Sequence, residues 1–114
     1  MDIILILKYV AVIVTLLTGL YSLLLPKKIK GFTGLEASSP RAITEIRAVM
    51  GGTFVGLGIA ALVFPVREVY LMLGITYAAI AAIRGVSMVV DKSMEKSNVI
   101  SLVSEVILVL ILVL

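Results

Sequence analysis

Four long apolar stretches alternate with short polar ones along this chain. The first, Ile3 to Leu25, holds a single charge, Lys8, and at about 1.5 Å of rise per residue it is long enough to cross a roughly 30 Å hydrocarbon core. Pro26 ends it, and Lys27, Lys28 and Lys30 follow as an interfacial basic cluster. A cleaved signal peptide fits poorly, because Asp2 stands where a basic cluster would precede the apolar run and no small-x-small site follows it. Residues 31–39 are rich in Gly, Thr and Ser, which is loop chemistry, and Ser38-Ser39-Pro40 is a helix start with a serine cap and proline in the first turn. A second helix is predicted over about 40–64. Pro65 closes it, and the short turn at Val66-Arg67-Glu68 makes the third helix, about 67–90, its antiparallel neighbour. After the polar loop Asp91 to Lys96, a fourth helix runs over about 97–114. The pattern predicts an all-α polytopic membrane protein, one domain over residues 1–114 built as an antiparallel bundle of four transmembrane helices.

Composition supports the membrane assignment. Of 114 residues 61% are hydrophobic and 15% charged, where a soluble domain carries about a quarter charged residues. The chain has no cysteine and no histidine, which excludes disulfides, thiol and serine-histidine catalysis, and the ordinary ligands of zinc, copper or haem. No metal and no cofactor is expected. The net charge of +3 could suit nucleic acid in a soluble protein, but the basic residues flank apolar runs, so the expected partner is the lipid bilayer with its anionic headgroups and not nucleic acid.

Charge also orients the chain. Lys27, Lys28, Lys30, Arg41, Lys92 and Lys96 flank the two longer loops, against Lys8 and Arg67 toward the other side. The positive-inside rule puts both loops in the cytoplasm and both termini outside the cell membrane.

Small residues predict where helices meet. Ala48, Gly52, Gly56 and Ala60 recur every four residues on the second helix, and Gly74, Ala78 and Ala82 on the third. Such ridges let backbones approach closely, either between helices two and three or across a homo-oligomer seam.

Charges within the spans are the candidate site. An ionisable group at the centre of a spanning helix costs roughly 2.5 to 3.5 kcal/mol on insertion scales, so one that is present usually faces protein and has a partner. Glu45, Arg84 and Glu105 each lie roughly 7 to 11 Å from the cytoplasmic ends of their helices. At 100° per residue Glu45 shares the face of Gly52 and Gly56, whereas Arg47 points elsewhere, toward the headgroups. Tyr70, Tyr77 and Arg84 share a stripe with Ala81 on the third helix; Asn98, Ser101 and Glu105 share one on the fourth; and Lys8, Thr15, Gly19 and Ser22 share one on the first. Aligned within a bundle, these stripes predict a polar cluster of Glu45, Arg84 and Glu105, with Arg47, Tyr77 and Ser101 completing the candidate binding residues.

The element Glu45-Ile46-Arg47-Ala48-Val49-Met50-Gly51-Gly52 follows Gly34-Leu35-Glu36 and a first helix ending Gly19-Leu20-Tyr21-Ser22-Leu23-Leu24-Leu25-Pro26. Together with Arg84-Gly85 and Glu105, it resembles the domain-of-unknown-function 4345 family of small four-helix prokaryotic membrane proteins, over nearly the whole chain. The resemblance implies a four-helix membrane bundle whose polar positions match Glu45, Arg47, Arg84 and Glu105, and it implies no reaction.

Three functional readings follow. The cluster can be a self-neutralising salt-bridge network that fixes helix register. It can line a cytoplasm-facing site for a lipid headgroup or amphiphilic small molecule, with Arg84 holding an anionic group and tyrosines stacking along the apolar part. The alternative is a small proton-coupled transporter or exporter, but that class carries its essential carboxylate in the first helix, where this chain has only Lys8, and uses tryptophan, which is absent. An enzyme would have to rest on Glu45 or Glu105 with Arg84, and nothing in the spacing calls for one.

Overall fold

The computed structural model of the chain describes residues 2–114, which are helical and, among the described residues, contain no strand. Helix α1 spans Ile3–Leu24, and Asp2 caps it by accepting the amide of Ile4 at 3.0 Å. A 3-10 turn at Pro26–Lys28 and a one-turn helix α2, Lys30–Thr33, follow where a plain loop was expected. Helix α3 covers Pro40–Val63, α4 Arg67–Val90 and α5 Lys96–Val113. Four of the five helices, α1, α3, α4 and α5, are long and apolar enough to cross a membrane. Their bounds follow the local chemistry: Ser39 accepts the amide of Ala42 at 3.0 Å with Pro40 in the first turn, and Pro65 follows the end of α3.

The outward-facing surface of these helices is hydrocarbon-like. At most 22% of the most apolar window of any span is buried within the chain, and the rest presents residues such as Ile13, Leu17, Ile75, Ile83 and Val103. No soluble monomer exposes apolar surface on that scale. Hydroxyls on these faces bond back to their own helix, Thr18 to the carbonyl of Val14, Thr76 to Met72 and Ser104 to Ile100, each at 2.8 Å. A lipid-facing hydroxyl needs such a partner because hydrocarbon supplies none.

The chain divides into two compact units, residues 12–65 and residues 1–11 with 66–114. The 12–65 unit is an antiparallel pairing of α1 with α3, in which Leu16 meets Gly58, Gly19 meets Val55 and Leu23 meets Gly51. The approach is closest at Gly19, where a Cβ would lie 2.5 Å from the backbone nitrogen of Val55 and 2.9 Å from the carbonyl oxygen of Gly51. In the other unit α4 and α5 form an antiparallel hairpin, with Gly74 against Leu112 and Val113 at one end and Gly85 near Leu102 toward the other. Lys8, the one charge of the first span, lies 5.2 Å from the centroid of the buried Tyr70 ring, a cation–π contact that partners an ammonium in apolar surroundings.

The small residues of the second span differ in burial. Gly51 and Gly58 are the buried glycines, whereas Gly52, Gly56 and Ala48 are exposed, a Cβ on Gly56 would meet nothing within 4 Å, and Ala60 is half-buried. A π-helical stretch at Ile46–Gly51, where the Gly52 amide reaches back to the carbonyl of Arg47, precedes Gly52. This wider turn breaks the 100° per residue rotation on which the shared face of Glu45, Gly52 and Gly56 was argued. On α4 Gly74 is buried against α5, while Ala78 and Ala82 are exposed and Ala81 is the buried alanine.

Candidate functional site

The polar site of the hairpin is built from the end of α4 upward. Lys92 adopts a left-handed backbone, φ 53°, just past the helix, and the Ser93 amide bonds the carbonyl of Met88 at 3.0 Å. This is the double-back closure of a helix C-terminus. It sets Ser93 where its carbonyl and hydroxyl accept from Asn98 Nδ2 at 2.8 and 3.3 Å. Asn98 is thereby turned so that its Oδ1 accepts from Arg84 Nη1 at 2.9 Å.

Arg84 completes the set with a two-pronged bond to Glu105, Nε to Oε1 at 2.8 Å and Nη2 to Oε2 at 2.9 Å. Planar fork on carboxylate is the strongest neutralising geometry available to the pair. The Glu105 side chain is 11% exposed and that of Arg84 33%, so the carboxylate is sunk and the guanidinium reaches it from the rim. An arginine has five N–H donors, of which these bonds use three, leaving one on Nη1 and one on Nη2.

Beside the clamp lies a cleft of about 410 Å³, lined by Ile80 and Ile83 together with the polar residues Arg84, Ser87, Asp91, Ser93 and Asn98. Because Glu105 neutralises Arg84, the carboxylate of Asp91 is the charge at this cleft with no ion pair among the described residues. Apolar side chains beside a set of donors and acceptors are what the junction of a polar head and an acyl or aryl chain requires.

The predicted site residues are distributed as follows. Arg84 and Glu105 are brought together, Tyr77 is buried on α4, and Ser101 is half-buried on α5 without joining the Arg84 bonds. Glu45 has a partner on its own helix, accepting from Arg41 Nε at 3.1 Å, with its side chain 51% exposed. Arg47 lines a different cleft, with Lys27, Lys28, Leu24, Leu25, Pro26 and Ile43. Sequence reasoning placed Asn98 on the polar stripe but gave it no bond, and it passed over Ser87 and Asp91. Their spacing carried the signal, since Ser87 and Asp91 follow Arg84 by three and seven residues and so share its helix face.

Four membrane-length apolar helices, one pair of them joined by an Arg–Glu clamp, define a multi-pass helical membrane protein. The chain belongs to the family described as Domain of unknown function (DUF4345), which matches residues 3–114. Comparison with curated proteins and with solved structures gave no match.

Proposed function

We propose that this protein crosses the cell membrane four times as an antiparallel bundle, termini outside and both longer loops cytoplasmic, and that its α4–α5 hairpin holds the polar head of a lipid or other amphiphile. The orientation rests on the six basic residues that flank the two longer loops. The binding reading rests on one observation above all: the Arg84 cleft is lined by apolar and polar side chains together and by a guanidinium with two N–H groups not used by Glu105 or Asn98. Asp91 favours a head that carries an amine, and Ser87, Ser93 and the spare N–H groups suit its hydroxyl or phosphoryl oxygens. A purely structural reading is favoured by the completeness of the Glu105 pairing, which by itself neutralises the charge and fixes the hairpin register.

The two readings part when the cleft is filled without touching the clamp. Ser87→Phe occupies the space between Ile83 and Asp91 and leaves Arg84, Asn98 and Glu105 intact. Native mass spectrometry of the full chain extracted in mild detergent should show an amphiphile retained by the wild type and lost from Ser87→Phe, with little change in thermal unfolding. Identical adducts on both proteins would reduce the cluster to a helix staple. For orientation, a reporter active only in the cytoplasm should be silent when fused to the C-terminus.

A further inference from the structure

The cations of residues 24–47 are partitioned in a telling way. Lys30 pairs with Glu36 at 3.4 Å and Arg41 with Glu45 at 3.1 Å, which uses both acidic residues of the segment. The remaining basic residues, Lys27, Lys28 and Arg47, make no ion pair among the described residues, and all of them line one cleft of about 340 Å³. Its other lining residues are apolar: Leu24, Leu25, Pro26 and Ile43. Three cations therefore share one cleft with apolar side chains, and among the described residues no anion pairs with them.

Depth says what does. The residues from Ile46 to the end of α3 at Val63 rise about 27 Å, close to the thickness of the hydrocarbon core, so Arg47 stands at its edge and Pro40–Glu45 stand in the interface. Lys27 and Lys28 reach the same zone from the turn that follows Leu24, the last residue of α1. Arg47 is carried there within the π-helical stretch, and its planar fork suits phosphoryl oxygens where lysine supplies point charge. We infer that Lys27, Lys28 and Arg47 form a binding site for the phosphate of an anionic phospholipid, whose acyl chain lies along Leu24, Leu25 and Ile43. This site is separate from the Arg84 cleft and stands or falls independently of it.

The test uses the full chain in mixed micelles of equal phosphatidylglycerol and phosphatidylcholine, with the ratio of bound lipids read by native mass spectrometry. A cation near an anionic surface is worth about fivefold in partition, so Lys27→Gln with Lys28→Gln should reduce the phosphatidylglycerol preference about 30-fold, and adding Arg47→Gln on the order of 100-fold. Arg47→Lys should retain more of the preference than Arg47→Gln. A control with the same charge change elsewhere, Arg67→Gln with Lys96→Gln, should leave the preference near that of the wild type. Should the triple variant fail to fold by circular dichroism, the Lys27 and Lys28 pair, on an exposed turn, decides alone. An unchanged preference in that pair, or an equal loss in the control, would overturn the assignment. So would displacement of the lipid by inorganic phosphate beyond that by chloride at matched ionic strength, which would mark a site for free phosphate.

Discussion

The two compact units hold helix to helix by different physics. In the 12–65 unit the α1–α3 contact is made by glycine, with Gly19, Gly51 and Gly58 letting side chain or backbone of one helix touch the backbone of the other, and the ion pairs of this unit are local ones on exposed side chains. The α4–α5 hairpin uses a glycine too, at Gly74, but adds a charged clamp from Arg84 to Glu105 and Asn98. Lipid tails are as apolar as leucine, so neither pair gains from the hydrophobic effect that joins helices in water, and close packing or polar bonding must supply the attraction. Packing by glycine is stiff and intolerant of added atoms. A charge pair is intolerant of losing one partner. The units should accordingly fail in opposite ways.

The largest effect is expected at Gly19. A methyl group there already meets the Val55 backbone at 2.5 Å, and backbone cannot rotate aside as a side chain end can. Gly19→Leu should cost beyond about 4 kcal/mol, enough to abolish cooperative thermal unfolding in detergent. Gly56→Leu, on the same unit but with open space around it, should unfold near the wild-type temperature. A concentration-dependent loss of stability in Gly56→Leu would instead reveal that the Gly52–Gly56 face is a seam between two copies.

Next comes the clamp. Arg84→Ala leaves the sunken Glu105 carboxylate without its cation and should destabilise by roughly 3 to 5 kcal/mol. Changing both members, Arg84→Met with Glu105→Leu, removes the unpaired charge and should recover most of that loss, which equilibrium unfolding in mixed micelles can measure. A double variant no better than Arg84→Ala would mean that the two side chains act separately.

These contrasts show where sequence reasoning carried and where it stopped. Span boundaries were legible because their signals are local: Ser39 caps, Pro26 and Pro65 terminate, and the apolar runs match a bilayer in length. The stripes of Thr15, Gly19 and Ser22 on α1 and of Tyr70, Tyr77 and Ala81 on α4 are buried as the 100° rotation predicts, because those helices are regular. On α3 a π-helical stretch at Ile46–Gly51, which nothing in those residues announces, interrupts that rotation, and Gly51 and Gly58 are the glycines that meet α1. Glu45 accepts from Arg41, four residues earlier on its own helix, a local contact that the alignment of polar stripes did not include. The Arg84–Glu105 pair was legible from the matching depth of the two residues and the polar stripes they sit on; the Asn98 bond depended on the left-handed turn at Lys92, which lysine does not advertise.

A smaller effect should follow at Asn98. Asn98→Ala removes the acceptor for Arg84 Nη1 and the tie to Ser93 but leaves the Glu105 fork in place, so about 1 to 2 kcal/mol should be lost. The share due to Arg84 should vanish in the Arg84→Met, Glu105→Leu background, where Nη1 no longer exists, leaving only the share due to the Ser93 tie. Persistence of the full loss there would show that Asn98 acts through the turn rather than through the clamp.

The smallest prediction compares how the units close a helix. At the end of α2, in the 12–65 unit, the left-handed position is occupied by Gly34, φ 77°, whereas at the end of α4 it is occupied by Lys92, φ 53°. A residue with a Cβ pays about 1 kcal/mol or more for that conformation, and glycine does not. Lys92→Gly should therefore stabilise the hairpin, though by less than the full strain, because glycine also gains freedom in the unfolded chain and a cation near a helix C-terminus is lost. A net gain of about 0.5 kcal/mol is expected, and Gly34→Lys should produce a loss of similar size confined to its own unit. Hydrogen exchange resolves such differences locally: slower exchange at Ser93 in Lys92→Gly and faster exchange at Gly34-proximal amides in Gly34→Lys are the expected pair. If Lys92→Gly speeds exchange at Ser93 and loosens Asn98 with it, the lysine stabilises the turn through contacts of its own, and the left-handed backbone is not the strained element that its φ angle indicates.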